Sequence, residues 1–301
     1  MLEVFDLVKE FSQTRAVDKI QFQVQPGSVF GLLGPNGAGK TTTLRLIMGI
    51  LKPDSGEILL DGEPRVKISR QKFGYIPEER GLYQRARVLE LLVYFGVLNR
   101  LSRHRAHVEA IRLLDKFGLT DYTRRRVNEL SKGMQQKIQL ITAVLHNPDV
   151  LIMDEPFSGL DPVNQIFIRD LILQYKEEKK IILLSTHQMT DVEQLCDYIC
   201  LINQGKIILD GKLDAIKARF RENSYFIEVD GDLSIIHDIP QIEILEEHNK
   251  SCKIVLKEKN YDSTKLLHFL SDKTHLTKYI QVEPSLHDIF IKVVQNENKK
   301  K

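Results

Sequence analysis

Ser28-Val29-Phe30-Gly31-Leu32-Leu33, running into Gly34-Pro35-Asn36-Gly37-Ala38-Gly39-Lys40-Thr41, decides the fold class. Residues 29–33 offer no polar face, so the strand they form belongs in a sheet interior. Residues 34–41 fit G-x-x-x-x-G-K-[ST], and Thr42 to Ile50 after them has helical character. Strand, glycine loop and helix in that order make a phosphate cradle. The glycines let the loop curl until successive N–H groups point inward, and the helix N-terminus adds partial positive charge. In such a cradle Lys40 bridges the terminal phosphates of a nucleotide and Thr41 holds Mg²⁺.

Two more runs are apolar throughout, Val150-Leu151-Ile152-Met153 and Ile181-Ile182-Leu183-Leu184, each with a helical stretch before it. Buried strands alternating with helices predict an α/β domain with a mostly parallel sheet. Asp154 and Glu155 then stand at the end of a strand, where a parallel sheet presents its ligand crevice. With a phosphate loop upstream, Asp154 is expected to orient Mg²⁺ and Glu155 to polarise water. Elsewhere, Ile20, Phe22 and Val24 alternate with glutamines and predict a half-buried strand ended by Pro26-Gly27. Glu79 to about Leu145, rich in Leu and Arg, reads as a helical insert. Asp161-Pro162 opens a helix with Asp as cap, and Thr190-Asp191-Val192-Glu193 has the form of a capping box. Ile199–Ile202 and Lys206–Leu209, joined by Asn203-Gln204-Gly205, read as a hairpin.

The 301 residues suit one large domain or one medium domain plus a smaller one. The boundary is expected in the polar stretch Arg219 to Ser224, giving a main domain over 1–220 and an α+β module over 221–295. That module shows strands at Tyr225–Val229, Cys252–Leu256 and Tyr279–Val282, a short helix near Thr264–Leu270, and a last helix whose Leu286, Ile289, Phe290 and Val293 share one face. Residues 296–301 read as a disordered, solvated tail. Basic residues number 43 and acidic ones 41, so no counterion-release footprint points to nucleic acid as a partner. Cys196, Cys200 and Cys252 form no C-x-x-C pair and fit a reducing compartment as inert buried thiols. With carboxylates where a secretory peptide needs a basic start, the N-terminus is expected to carry no export signal, and the longest apolar stretch, Leu91 to Leu98, falls well short of the about 20 residues of a membrane span. Tyr83, Arg85 and Arg87 read as a solvated or partner-facing surface.

Several motifs in one order resemble the ATP-binding cassette (ABC) ATPases. Leu130-Ser131-Lys132-Gly133-Met134-Gln135-Gln136 is similar to the family signature L-S-G-G-Q, with Lys132 replacing the first glycine and Met134 the glutamine. Ser158-Gly159-Leu160-Asp161 resembles the D-loop, and Ser185-Thr186-His187 the switch-histidine segment. The resemblance covers Met1 to about Phe220 and implies a P-loop cassette with antiparallel N-terminal strands, a mostly parallel core sheet and a helical insert. It implies ATP and Mg²⁺ as ligands, nucleotide contacts from residues 34–41 and Thr42, and catalytic roles for Glu155 and His187. Phe11 stands where the family stacks an aromatic on adenine, although an aromatic near a strand end also suits a core. Pro77-Glu78 occupies the place of the Q-loop, with Glu78 instead of glutamine; it faces either Mg²⁺ or, as part of a charged run, solvent.

Gly74 to Tyr83 and the C-terminal module narrow the resemblance to ATP-binding subunits of sodium-efflux and drug-resistance exporters. That implies a separate membrane-spanning permease, a place on the cytoplasmic face of the membrane, and a head-to-tail homodimer or heterodimer of cassettes. In the dimer Ser131, Lys132, Gly133 and Met134 act on the nucleotide of the opposite subunit, with Asp161 in the D-loop between. Two other readings stay open, a soluble ABC ATPase without a permease and a regulatory nucleotide-binding module.

Overall fold

The computed structural model describes residues 1–79, 81–221, 223–231, 233–257 and 263–299, with side chains to Gln295. The chain divides into two compact units, Met1–Leu213 and Asp214–Lys301.

The first unit opens with the antiparallel pair β1 (Leu2–Phe11) and β2 (Thr14–Val24), then β3 (Ser28–Leu33), the phosphate-type loop, and α1 (Lys40–Ile47). β4 (Ser55–Leu60) and the short β5 (Glu63–Pro64) complete a sheet of order β2-β1-β4-β5. β6 (Phe73–Ile76) leads to α2 (Val88–Leu98), α3 (Arg103–Lys116) and α4 (Lys132–Val144). β7 (Val150–Asp154), α5 (Pro162–Glu177), β8 (Ile181–Thr186), α6 (Met189–Leu195), β9 (Tyr198–Asn203) and β10 (Lys206–Lys212) follow.

Six of these strands form the central sheet in the order β10-β9-β3-β8-β7-β6. All its pairs are parallel except the β9–β10 hairpin. β3, β7 and β8 are buried at every residue, as strands covered on both faces must be. Leu44, Leu46 and Ile47 of α1 share one core cluster with Leu2, Val4 and Ile20 of the antiparallel sheet and with Leu32, Ile152 and Leu183 of the central sheet. Each such buried aliphatic contributes roughly 1.5–3 kcal/mol, so α1 and the loop before it are anchored by the core.

The second unit contains all but the first residue of α7 (Leu213–Arg219), and β11 (Ser224–Val229), β12 (Ile242–His248), β13 (Ser251–Leu256), α8 (Ser263–Lys273), β14 (Leu276–Val282) and α9 (Leu286–Lys299). Its antiparallel sheet has the order β12-β13-β11-β14. Tyr225, Ile227 and Val229 face a core shared with Leu266 and Leu270 of α8.

Four expectations change. The insert is not helical from Glu79, because α2 starts at Val88 and short turns occupy much of the stretch between α3 and α4. Thr190 does not cap a helix: α6 begins earlier, at Met189, and Asp191 turns inward to an ion pair with Arg169 at 2.7 Å. α9 continues to Lys299, through residues expected as a tail, since Asn296-Glu297-Asn298-Lys299 contains no helix breaker; Lys300 and Lys301 lie outside the described residues. The unit division after Leu213 also puts α7 with the C-terminal residues. The three cysteines are free and buried, and burial pushes the Cys252 thiol up to about 11 and those of Cys196 and Cys200 higher still. Among the described residues no helix is long and apolar enough to cross a membrane.

Candidate functional site

Parallel register brings the C-terminal ends of β3, β8, β7 and β6 to one edge of the sheet, with Leu33 opposite Thr186, Asp154 opposite Ser185 and Ile76 opposite Met153. The glycine loop leaves β3, Glu155 follows β7, His187 follows β8 and Glu78 lies two residues beyond β6.

Two glycines show why the loop has its sequence. Gly34 has φ +148°, and a Cβ there would come within 2.2 Å of the Ile202 carbonyl oxygen. Gly39 has φ +110°, and its Cβ would meet the Ala16 carbonyl oxygen at 2.3 Å. The β9–β10 turn supports the loop from behind, because the Gly205 N–H donates to the Ala38 carbonyl at 2.9 Å. Gln204 and Gly205 both have positive φ, the geometry of a two-residue hairpin turn.

Asn36, Gly37, Ala38, Gly39, Lys40, Thr41, Thr42, Glu78 and Glu155 line one cavity of about 310 Å³, together with Ala16. Lys40 is 6% exposed, and its Nζ donates to the Gly34 carbonyl at 2.8 Å and the Pro35 carbonyl at 3.2 Å, with Glu155 Oε1 at 3.7 Å. An ammonium fixed at the mouth of a loop of amides suits a polyanion. Asp154, 2% exposed, accepts from Thr41 Oγ1 at 3.1 Å, from Ser185 Oγ, and from the Tyr75 hydroxyl at 3.5 Å. Burial, and after it the Asp154 charge, raises the Tyr75 phenol above its ordinary value, so it stays a donor. A hydroxyl beside a carboxylate is a hard-oxygen donor set that fits Mg²⁺.

Glu155 adopts φ +47°, which costs an L-residue roughly 1–2 kcal/mol. The Glu155 N–H donates to the Ser185 carbonyl at 3.0 Å, and the carboxylate lies 2.9 Å from His187 Nδ1. The strained backbone thus turns the carboxylate to the cavity, and the imidazole fixes one of its oxygens.

The signature segment lies elsewhere. Ser131 caps α4 by accepting from the Met134 N–H at 3.3 Å, Lys132 is exposed, and neither they nor Gly133 and Met134 line the cavity. Asp161 caps α5, accepting the Asn164 N–H at 3.0 Å and its side-chain amide at 2.6 Å, which holds the Asp161 carboxyl below its ordinary range. Phe11 ends β1, is 44% exposed and carries the Lys9 ammonium 5.5 Å from its ring centre, so it is no core residue. Glu78 lines the cavity and is at the same time exposed to solvent. Sequence reasoning assigned no role to Tyr75, Ser185, Ala16, Gln139 or Asn164. Only Gln139 carried a signal, an amide among the aliphatic residues of a buried helix face.

Residues 17–158 match the family described as ABC transporter, and residues 211–294 match the C-terminal domain of ATP-binding proteins like DrrA1-3. The ABC transporter ATP-binding protein YhaQ of Bacillus subtilis (strain 168) is 41% identical over 294 residues, which are 98% of this chain and 98% of that protein. The chain belongs to the ABC transporter ATP-binding proteins. The Nod factor export ATP-binding protein I of Paraburkholderia xenovorans (strain LB400) is 41% identical over 218 residues, 71% of this chain and 72% of its own. A solved ATP-binding subunit of an ABC transporter superposes with a TM-score of 0.68 at 33% identity, over 73% of this chain and 93% of its own. The ABC cassette and the DrrA-like C-terminal domain thus stand in one chain, as the motifs and the module after them led us to expect.

Proposed function

We propose that this ABC protein is the ATP-hydrolysing subunit of an exporter, working on the cytoplasmic face of the membrane with a separate permease. The observation that carries the proposal is the convergence of Lys40, Thr41, Glu78 and Glu155 on one cavity beside Asp154 and His187. Lys40 and the amides of residues 34–41 hold the phosphates of ATP, and Thr42 extends that row. Phe11 reaches the adenine. Thr41 and Asp154, with Glu78 beside them, hold Mg²⁺, which when bound neutralises charge on the phosphate oxygens. Glu155 accepts the proton of the attacking water, and His187 keeps that carboxylate aimed. The export direction is supported by the relative named for Nod factor export.

The signature residues lie off the cavity within one chain, so the cage around the phosphates is completed in a head-to-tail pair. There Ser131, Lys132, Gly133 and Met134 of the partner subunit close it, with Asp161 between, and ATP occupancy and closure become coupled. A homodimer and a pair with a related cassette use the same geometry.

Filter binding beside a phosphate-release assay tests this reading. Lys40→Ala is expected to lose tight ATP binding, because the terminal phosphates lose their main side-chain cation. Glu155→Gln is expected to retain ATP and to lose roughly 10²- to 10⁴-fold in turnover, the range for a general base. Wild-type hydrolysis by Glu155→Gln would remove Glu155 from the mechanism.

A further inference from the structure

Gln139 lies on α4, the helix that Ser131 caps, and is 3% exposed. Its Nε2 donates two hydrogen bonds, to the Pro77 carbonyl at 3.0 Å and to the Glu79 carbonyl at 3.3 Å. Those two carbonyls bracket Glu78, which lines the cavity. The other end of the amide, Oε1, is buried with no hydrogen-bond partner among the described residues.

That orphan oxygen argues against a role in packing alone. A buried acceptor left unpaired costs about 1–3 kcal/mol, whereas an apolar side chain of similar shape has no such penalty. Of the other buried positions of α4, Ile138, Leu140, Ile141, Ala143 and Val144 are filled in that cheaper way, and Gln136 is the second buried amide. An amide survives at 139 at a cost that only its two donors offset, and both donors point at the backbone around Glu78.

We infer that Gln139 is a positioning residue for Glu78, pinning the peptide on both sides of it so that the carboxylate keeps its place at the cavity. The inference rests on the ATPase reading above and adds a residue and a direction of action to it. Because α4 starts at the signature segment, about two helical turns before Gln139, the same rigid helix ties that segment to the Glu78 loop.

The test is a double-mutant cycle on the full chain with Glu78→Ala, Gln139→Met and both together, reading the Mg²⁺ concentration for half-maximal ATP retention on a filter, with that for half-maximal hydrolysis beside it. If Gln139 acts through Glu78, Gln139→Met moves the retention midpoint in the same direction as Glu78→Ala. The double variant then matches Glu78→Ala alone, departing from the product of the single effects by about threefold or more. A packing role predicts instead that the two effects multiply, or that Gln139→Met leaves the midpoint in place, and either result overturns the inference. Gln139→Leu, a second donor-free side chain, replaces methionine if that variant loses its cooperative thermal transition. Wild-type chain that neither binds nor hydrolyses Mg-ATP would overturn the ATPase reading itself, and this inference with it; hydrolysis with a multiplicative cycle overturns only the role of Gln139.

Discussion

Asp154 is nearly sealed from solvent, and its carboxylate depends on three hydroxyl donors, Thr41, Ser185 and Tyr75. Ser185 is the fully buried one of the three, and its oxygen also accepts from the Glu155 N–H at 3.3 Å. Ser185→Ala should therefore destabilise the fold by about 1–3 kcal/mol, the cost of depriving a buried group of its partner. It should also raise the Mg²⁺ concentration needed for hydrolysis, because Asp154 is then held less firmly. Urea unfolding beside a Mg²⁺ titration measures both, and unchanged values in each would show that Ser185 supports neither carboxylate. Asp154 and Glu155 were legible from their place after an apolar run. Ser185 was not, because a serine at a strand end has many ordinary uses and only the β7–β8 register puts it beside Asp154.

At the next scale, two helix starts meet. A Cβ added to Gly133, at the beginning of α4, would lie 2.5 Å from the side-chain nitrogen of Asn164, in the first turn of α5. Asn164 can swing away only by giving up the bond of its amide to Asp161. Gly133→Ala should thus disturb the Asp161 cap as well as the signature segment, and Asn164→Ala should relieve part of that damage. ATPase rates and melting temperatures of both single variants and the double variant report the coupling, whose expected size is about 0.5–3 kcal/mol for residues in contact. Additive effects would separate the two helix starts. The Asp161-Pro162 helix start could be read directly, because capping is local and Pro at the first helical position is preorganised. The apparent capping box at Thr190 misled because Asp191 has a stronger claim on it, the Arg169 guanidinium from another helix.

For the whole molecule the question is assembly. The cavity and the signature segment are separate within one chain, so ATP that is bound but not hydrolysed should bring two chains together. Light scattering of Glu155→Gln is expected to show a monomer without nucleotide and a dimer with Mg-ATP; a monomer at saturating Mg-ATP would argue against a homodimer. By itself the sequence determined the α/β class, the glycine loop, the carboxylates after β7, the hairpin and most helices of both units. These follow from short-range rules: apolar runs, glycine dihedrals, caps and helical periodicity act within a few residues. Only the tertiary structure decided that the ends of β3, β8, β7 and β6 share one edge, that Ser185 and Tyr75 serve Asp154, and that Gln139 grips the backbone around Glu78. Those contacts join residues tens of positions apart, and burial and strand order, which no local pattern encodes, set which of many possible polar partners they find.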